Sequence, residues 1–285
     1  MKKTNMIWGL APLALAALLA TGCTKDADVP GMRIVEEGMA TGQGSKVIVD
    51  VDNPTVNSWV AGESVGWFNG SEYGEWGIQQ NGSNYYYVAN DRTSCSLALW
   101  YPSGLGTYYA NGNTEKVKFT SFPTSLNYSN RTQPSIQFPM AAFGESSDES
   151  AMFRHACGAL CFNVVNNTGS DTTIGKVTIV LMRGGNTISI WPRSSGYAMT
   201  FDKDGTITPA SMSNYSHSYD LTSLGTLAAG SLFRAILPVP VYSSSLDYTI
   251  RFYDDSDNLI KERTISGLTI ERNNMYNLKD FNLKD

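Results

Sequence analysis

The feature that most limits what this chain of 285 residues can fold into is a long succession of short alternating runs, each cut off by Gly, Asn, Asp or Ser. Alternation with a period of two puts successive side chains on opposite faces of a strand, whereas a helix needs a period near 3.6. In Lys46 to Asp52, for instance, Val47, Val49 and Val51 alternate with Ile48 and Asp50. Similar runs occur at Ser64–Asn69, Tyr85–Val88, Ser96–Tyr101, Val117–Phe122 and Ser135–Phe138. Further on they recur at Met152–Val165, Thr173–Met182, Thr187–Trp191, Tyr197–Phe201, Thr206–Thr208, Ser231–Leu237, Leu246–Tyr253, Leu259–Ile270 and Met275–Leu283. Asn69-Gly70-Ser71, Asn81-Gly82-Ser83, Asp202 to Gly205 and Asp254 to Asn258 supply hairpin turns between them. No run reads as an amphipathic helix. The expected class is all-β, built as antiparallel β-sandwiches.

The length suits about two domains at roughly 150 residues each. The best internal boundary is the polar stretch Phe143 to Ser150, which lies between two strong β patterns. Charge supports the division: Ile34 to Glu145 carries five basic and ten acidic residues, whereas Ser146 onward carries twelve and fourteen. The expected domains are therefore 46–146 and 147–285.

The N-terminus reads differently. Lys2 and Lys3 precede an apolar run of 15 residues from Met6 to Ala20, too short to span a bilayer, which needs about 20. The small residues Ala20-Thr21-Gly22 lead into Cys23, so the segment resembles a bacterial lipobox, with Ala20 where a leucine is usual. That resemblance implies a signal peptide over 1–22, cleavage between Gly22 and Cys23, and acyl chains on Cys23. Acylation would tether the mature chain to the outer membrane, each buried methylene contributing about 0.8 kcal/mol. The acidic Thr24 to Asp28 is similar to a surface-export signal of Bacteroidetes lipoproteins. Residues 23–45 are then a linker or pro-segment.

The net charge of −5 becomes more negative once Lys2 and Lys3 are removed, and no basic cluster is present. Both facts speak against nucleic acid as a partner. Asp202-x-Asp204-Gly205 lacks the acidic residue that would close a calcium loop, so the acidic turns are read as solvated hairpins. Cys95, Cys157 and Cys161 remain after lipidation. Cys157 and Cys161 would lie about 13 Å apart along one strand, too far for a disulfide. There is no Gly-x-Ser-x-Gly elbow, only His155 and His217 are available as imidazole bases, and no phosphate loop or zinc spacing occurs. The expectation is no enzyme, no metal and no cofactor. The first half is rich in aromatic pairs, and Tyr86, Trp100 and Tyr108 are the candidates for outward rings that contact a glycan or a protein receptor.

Several segments together resemble the fimbrillin-like lipoproteins of Bacteroidetes, which include pilins, anchors and tip adhesins. They are the lipobox, Trp59 to Phe68, Leu99-Trp100-Tyr101-Pro102, Phe138-Pro139-Met140-Ala141, Met152 to Leu160 and Asn274 to Leu278. The resemblance implies two tandem transthyretin-like β-sandwich domains and a cell-surface pilin or fimbria-associated adhesin. It also implies partnership with other pilus subunits by strand exchange, after cleavage that looks like it falls between Arg33 and Ile34. Arg33 is the sole arginine before Arg92. The alternative is a surface glycan-binding lipoprotein that uses its exposed aromatic residues.

Overall fold

The computed structural model describes residues 32–36, 40–41, 59, 61–87, 95–122, 125–127, 138–148, 150–188, 191–192, 199–209, 215–216, 218–242 and 244–284. Cys23, Gly22 and the expected strand at Lys46–Asp52 lie outside the described residues. Among the described residues there is no α-helix, and the chain is all-β with one 3-10 turn at Ser103–Leu105.

In chain order the early strands are β1 Met32–Glu36, β2 Ala40–Thr41, β3 Ser64–Phe68, β4 Tyr73–Asn81, β5 Asn84–Tyr87, β6 Ser96–Tyr101, β7 Gly106–Tyr109 and β8 Asn113–Phe119. Next come β9 Ser125–Asn127, β10 Met140–Glu145, β11 Ser150–His155, β12 Gly158–Val165, β13 Thr172–Arg183, β14 Asn186–Ile188, β15 Trp191–Pro192 and β16 Met199–Asp202. The last are β17 Ile207–Pro209, β18 Tyr215–Ser216, β19 Ser218–Leu227, β20 Leu232–Val239, β21 Leu246–Tyr253, β22 Leu259–Leu268, β23 Asn274–Asn277 and β24 Phe281–Asn282.

Seven of them close into a ring in the order β1-β11-β10-β6-β3-β4-β5, with β1 bonded to β11 in parallel and to β5 antiparallel. The interior is aromatic. Trp76 stacks between Trp67 at 4.8 Å and Tyr87 at 5.3 Å, while Trp59 packs on Tyr101 and Phe153. A second sheet, β17-β16-β8-β7, lies against the outside of β6 and β10, where Phe143 meets Phe201. β15 and β18 pair with each other, and the remaining strands form a sandwich of β2-β23-β12-β20, with β24 beside β12, and β22-β21-β13-β19-β9, with β14 beside β13. Its core is mainly aliphatic and includes Leu160, Val164, Ile179, Leu221, Leu237 and Ile250.

Several expectations need correction. The stretch 23–45 was read as linker, yet Met32–Glu36 and Ala40–Thr41 are paired strands, because Met32 and Ile34 are both buried inside the ring. Met152–Val165, read as one strand, is two, since the chain bends at Ala156–Cys157. β11 stays in the ring and β12 enters the sandwich, so the chain crosses between the two at that bend. The polar stretch near residue 146 is the tip of the β10–β11 hairpin, and both of these strands belong to the ring. β16 later returns to pair with β8. Pairing is not wholly antiparallel either, as β12 runs parallel to β23 and β24, and β19 parallel to β9.

Candidate functional site

The predicted aromatic residues occupy a different place from the one expected. Trp100 is 4% exposed and Tyr86 8% exposed, so neither offers a free ring face. For Trp100 the reason is the second sheet, which covers the side of β6 that strand alternation directs outward. Trp100 lies across the bare backbones of Gly66 and Gly106, and its Nε1 donates to the Ser103 carbonyl at 3.0 Å. A Cβ at either glycine would collide with the indole, which is why the sequence has glycine at both. Tyr108 is half-buried and stacks on Phe68 at 4.6 Å.

The exposed ring is one that strand reading had missed. Tyr73, 63% exposed, tilts over Tyr108 at 4.7 Å and opens strand β4. β4 carries two alternating rows. Trp76 and Ile78 point into the ring, while Tyr73, Glu75, Gly77 and Gln79 face outward, Tyr73 at the margin of the covering sheet. Two glycines and several polar residues dilute its β propensity, but the alternation of Trp76 and Ile78 with polar neighbours was the signal available.

Along this outward row runs an open cleft of about 830 Å³, bordered by Ala61, Gly62, Glu75, Gly77, Gln79 and Gln80. Glu75 Oε2 accepts from Ser64 Oγ at 2.9 Å, and Ser64 Oγ lies 2.8 Å from Ser103 Oγ. A Cβ at Gly77 would meet nothing within 4 Å, so the floor there is open. The turn before β4 is fixed by Asn69, whose Oδ1 accepts from Ser71 N at 3.0 Å and Glu72 N at 2.6 Å. Gly70 takes the left-handed conformation that this turn requires, with φ +95°.

Arg33 is exposed on β1, opposite Tyr86 and Ser150. Tyr87 Oη, on the same pair of strands, donates to Met32 Sδ at 2.5 Å inside the ring. Cys95, Cys157 and Cys161 are free thiols, the last two buried. Burial pushes both of these thiols up from the usual range, and Cys161 is partly held back by Arg234, whose Nε lies 3.1 Å from its sulfur. Such thiols pack as small apolar side chains. His155 packs edge-on to Phe138 in the core. Among the described residues no group of three His, Cys, Asp or Glu side chains is gathered to hold a metal ion. Nor is any helix there long and apolar enough to cross a membrane.

No family model matches the chain, and no curated protein matches it. Solved structures do. A "putative cell adhesion protein" of Bacteroides ovatus is 12% identical, with 90% of this chain and 94% of that chain covered at a TM-score of 0.46. One of the same description from Bacteroides uniformis is 13% identical, with 80% and 89% covered at 0.44. A third, from Bacteroides fragilis, is 11% identical, with 89% and 94% covered at 0.42.

Proposed function

We propose that the chain is a lipid-anchored subunit of the cell surface, fimbria-associated and serving attachment, which accepts a strand from another subunit. The observation that carries this reading is β1. It is a five-residue strand at the extreme N-terminal end of the described fold, it is the one that closes the ring, and it holds Arg33. Cleavage between Arg33 and Ile34 would cut β1 in two. The remnant would keep too few bonds to stay, and β5 and β11 would each expose a row of unpaired backbone groups. Such a slot binds an extended segment of a second chain through main-chain hydrogen bonds, while alternate side chains of that segment replace Met32 and Ile34. The fimbrillin-like motifs and the lipobox-like Cys23 support the same reading from the sequence; because Cys23 precedes Arg33, the chain is lipid-anchored until the cut, which frees it from the anchor as it opens the slot.

The C-terminal segment is engaged in its own sandwich. β23 and β24 pair with β12, and Leu278, Phe281 and Leu283 are buried. Freeing them would expose three large apolar side chains at about 1.5–3 kcal/mol each. A chain with an acceptor slot and a buried tail suits the end of a fibre better than its stalk.

The test is assembly. Mature protein trimmed at Arg33 should capture a β-strand peptide or subunit from the same fibre, giving a larger species by light scattering, whereas Arg33→Ala exposed to the same protease should not. A trimmed chain that captures no strand would overturn the reading.

A further inference from the structure

We infer that the outward row of β4 is a binding site for a neutral oligosaccharide. The inference rests on the attachment part of the reading above and not on strand exchange. Tyr73, Glu75, Gly77 and Gln79 lie in a line of about 20 Å, at roughly 3.4 Å per residue. At one end the exposed Tyr73 ring offers a flat apolar face of the kind that stacks on the C–H face of a pyranose. Tyr108 and Phe68 behind it hold it in place, so little freedom is lost on binding. Further along, one carboxylate and two carboxamides border the cleft, and these are the groups that pair with vicinal hydroxyls. Ser64 orients the Glu75 carboxylate, while the missing side chain at Gly77 lets a ring sit close to the backbone.

The same residues indicate what the ligand is not. Among the described residues the lining includes Glu75 and no Lys or Arg, so a sialylated or sulfated glycan would meet a like charge there. β4 pairs with β3 over Tyr73–Gly77 and with β5 over Ile78–Asn81, so what its outward face offers a ligand is side chains. A row of polar side chains with one anchored aromatic ring at its end fits a sugar chain.

The experiment screens the lipid-free mature chain on an array of neutral, sialylated and sulfated oligosaccharides, then titrates the best neutral one by calorimetry and by amide chemical shifts. The expected result is binding to neutral glycans, with shifts concentrated at Glu75, Gly77 and Gln79. Tyr73→Ala should weaken binding at least tenfold, and Gly77→Val, which fills the floor where no atom lies within 4 Å, should abolish it with the melting temperature unchanged. Tyr109→Ala, at an exposed ring on β7, should leave affinity as it was. Should either variant fold poorly, the shift map of the intact protein decides alone. Absence of neutral-glycan binding, preference for anionic glycans, shifts away from β4, or full affinity in both variants would each overturn the site. Attachment that persists with an empty array would sink this site and leave the attachment reading standing. Glycan binding by a chain that never captures a strand would do the reverse for fibre assembly.

Discussion

The two ends of the described chain are built into the fold by the same device and with very different grip. β1 enters the ring as a strand non-consecutive with both its neighbours, and β23 with β24 enters the sandwich beside β12, parallel to it. At the N-terminal end, the buried anchors among the described side chains are Met32 and Ile34. At the C-terminal end they are Met275, Tyr276, Leu278, Phe281 and Leu283, reinforced by backbone bonds from Leu278 N to the Cys161 carbonyl and from Leu283 N to the Val165 carbonyl. Buried apolar area sets how firmly an added strand is held. The difference teaches which end the molecule can give up: the ring has a closure that a cut can release, and the sandwich has a lock.

The largest expected effect lies at the lock. Phe281 contacts Phe162 and Phe252, and Arg263 lies 4.7 Å over its ring, so Phe281→Ala should cost about 3–5 kcal/mol in urea unfolding. A loss under 1 kcal/mol would remove the asymmetry. At the closure, Ile34→Ala should cost about 2 kcal/mol, the low end for such a truncation, because Ile34 sits at the ring wall with 9% exposure. A cost equal to that of Phe281→Ala would mean that both ends are gripped alike.

A smaller effect is set by the bend where the chain passes from ring to sandwich. Cys157 there, and Cys161 in β12, have thiols pushed above their ordinary value of 9.0 by burial. Above about pH 9 the unfolded chain loses these protons while the folded chain keeps them, so stability should fall as pH rises through that range. Thermal melts between pH 7 and 10 on the intact chain and on Cys157→Ala check this, the variant showing the shallower decline. The smallest effect belongs to a surface pair. Lys176 bonds Asp257 at 2.8 Å with the aspartate largely exposed, and Lys176→Met should change stability by no more than about 1 kcal/mol.

How much of this was legible in the sequence follows the same division. The sandwich strands alternate strongly, so β13, β21 and β22 were readable within a few residues, and Asp202–Gly205 and Asp254–Asn258 form the hairpin turns their composition implied. The tail's broken alternation between Leu278 and Phe281 is the gap between β23 and β24, where Lys279 and Asp280 reach solvent. The ring was harder. β1 has only five residues between Pro30-Gly31 and Gly38, too few to show a period, so its partner strands, far away in sequence, decide that it is a strand. β4 was lost because Gly74 and Gly77 dilute its β propensity, and Gly74 is there for packing: a Cβ on it would lie 3.1 Å from the Trp67 indole nitrogen. The burial of Trp100 was hidden because strand alternation says which side a ring takes, not whether another sheet covers that side. Tyr73, the most exposed of the described rings, follows an Asn-Gly-Ser turn at the same spacing as the half-buried Tyr85 follows another, and the sequence held nothing to tell the two apart.

The claim that β1 is a releasable closure is tested most directly by amide hydrogen exchange on two chains, the mature protein and one truncated to begin at Glu37. The expected result is that truncation strips protection from β5 and β11, at Asn84–Tyr87 and Ser150–His155, and leaves β12 and β23 as they were. Ring amides equally protected in both chains, or protection lost throughout β12 and β23 as well, would contradict it.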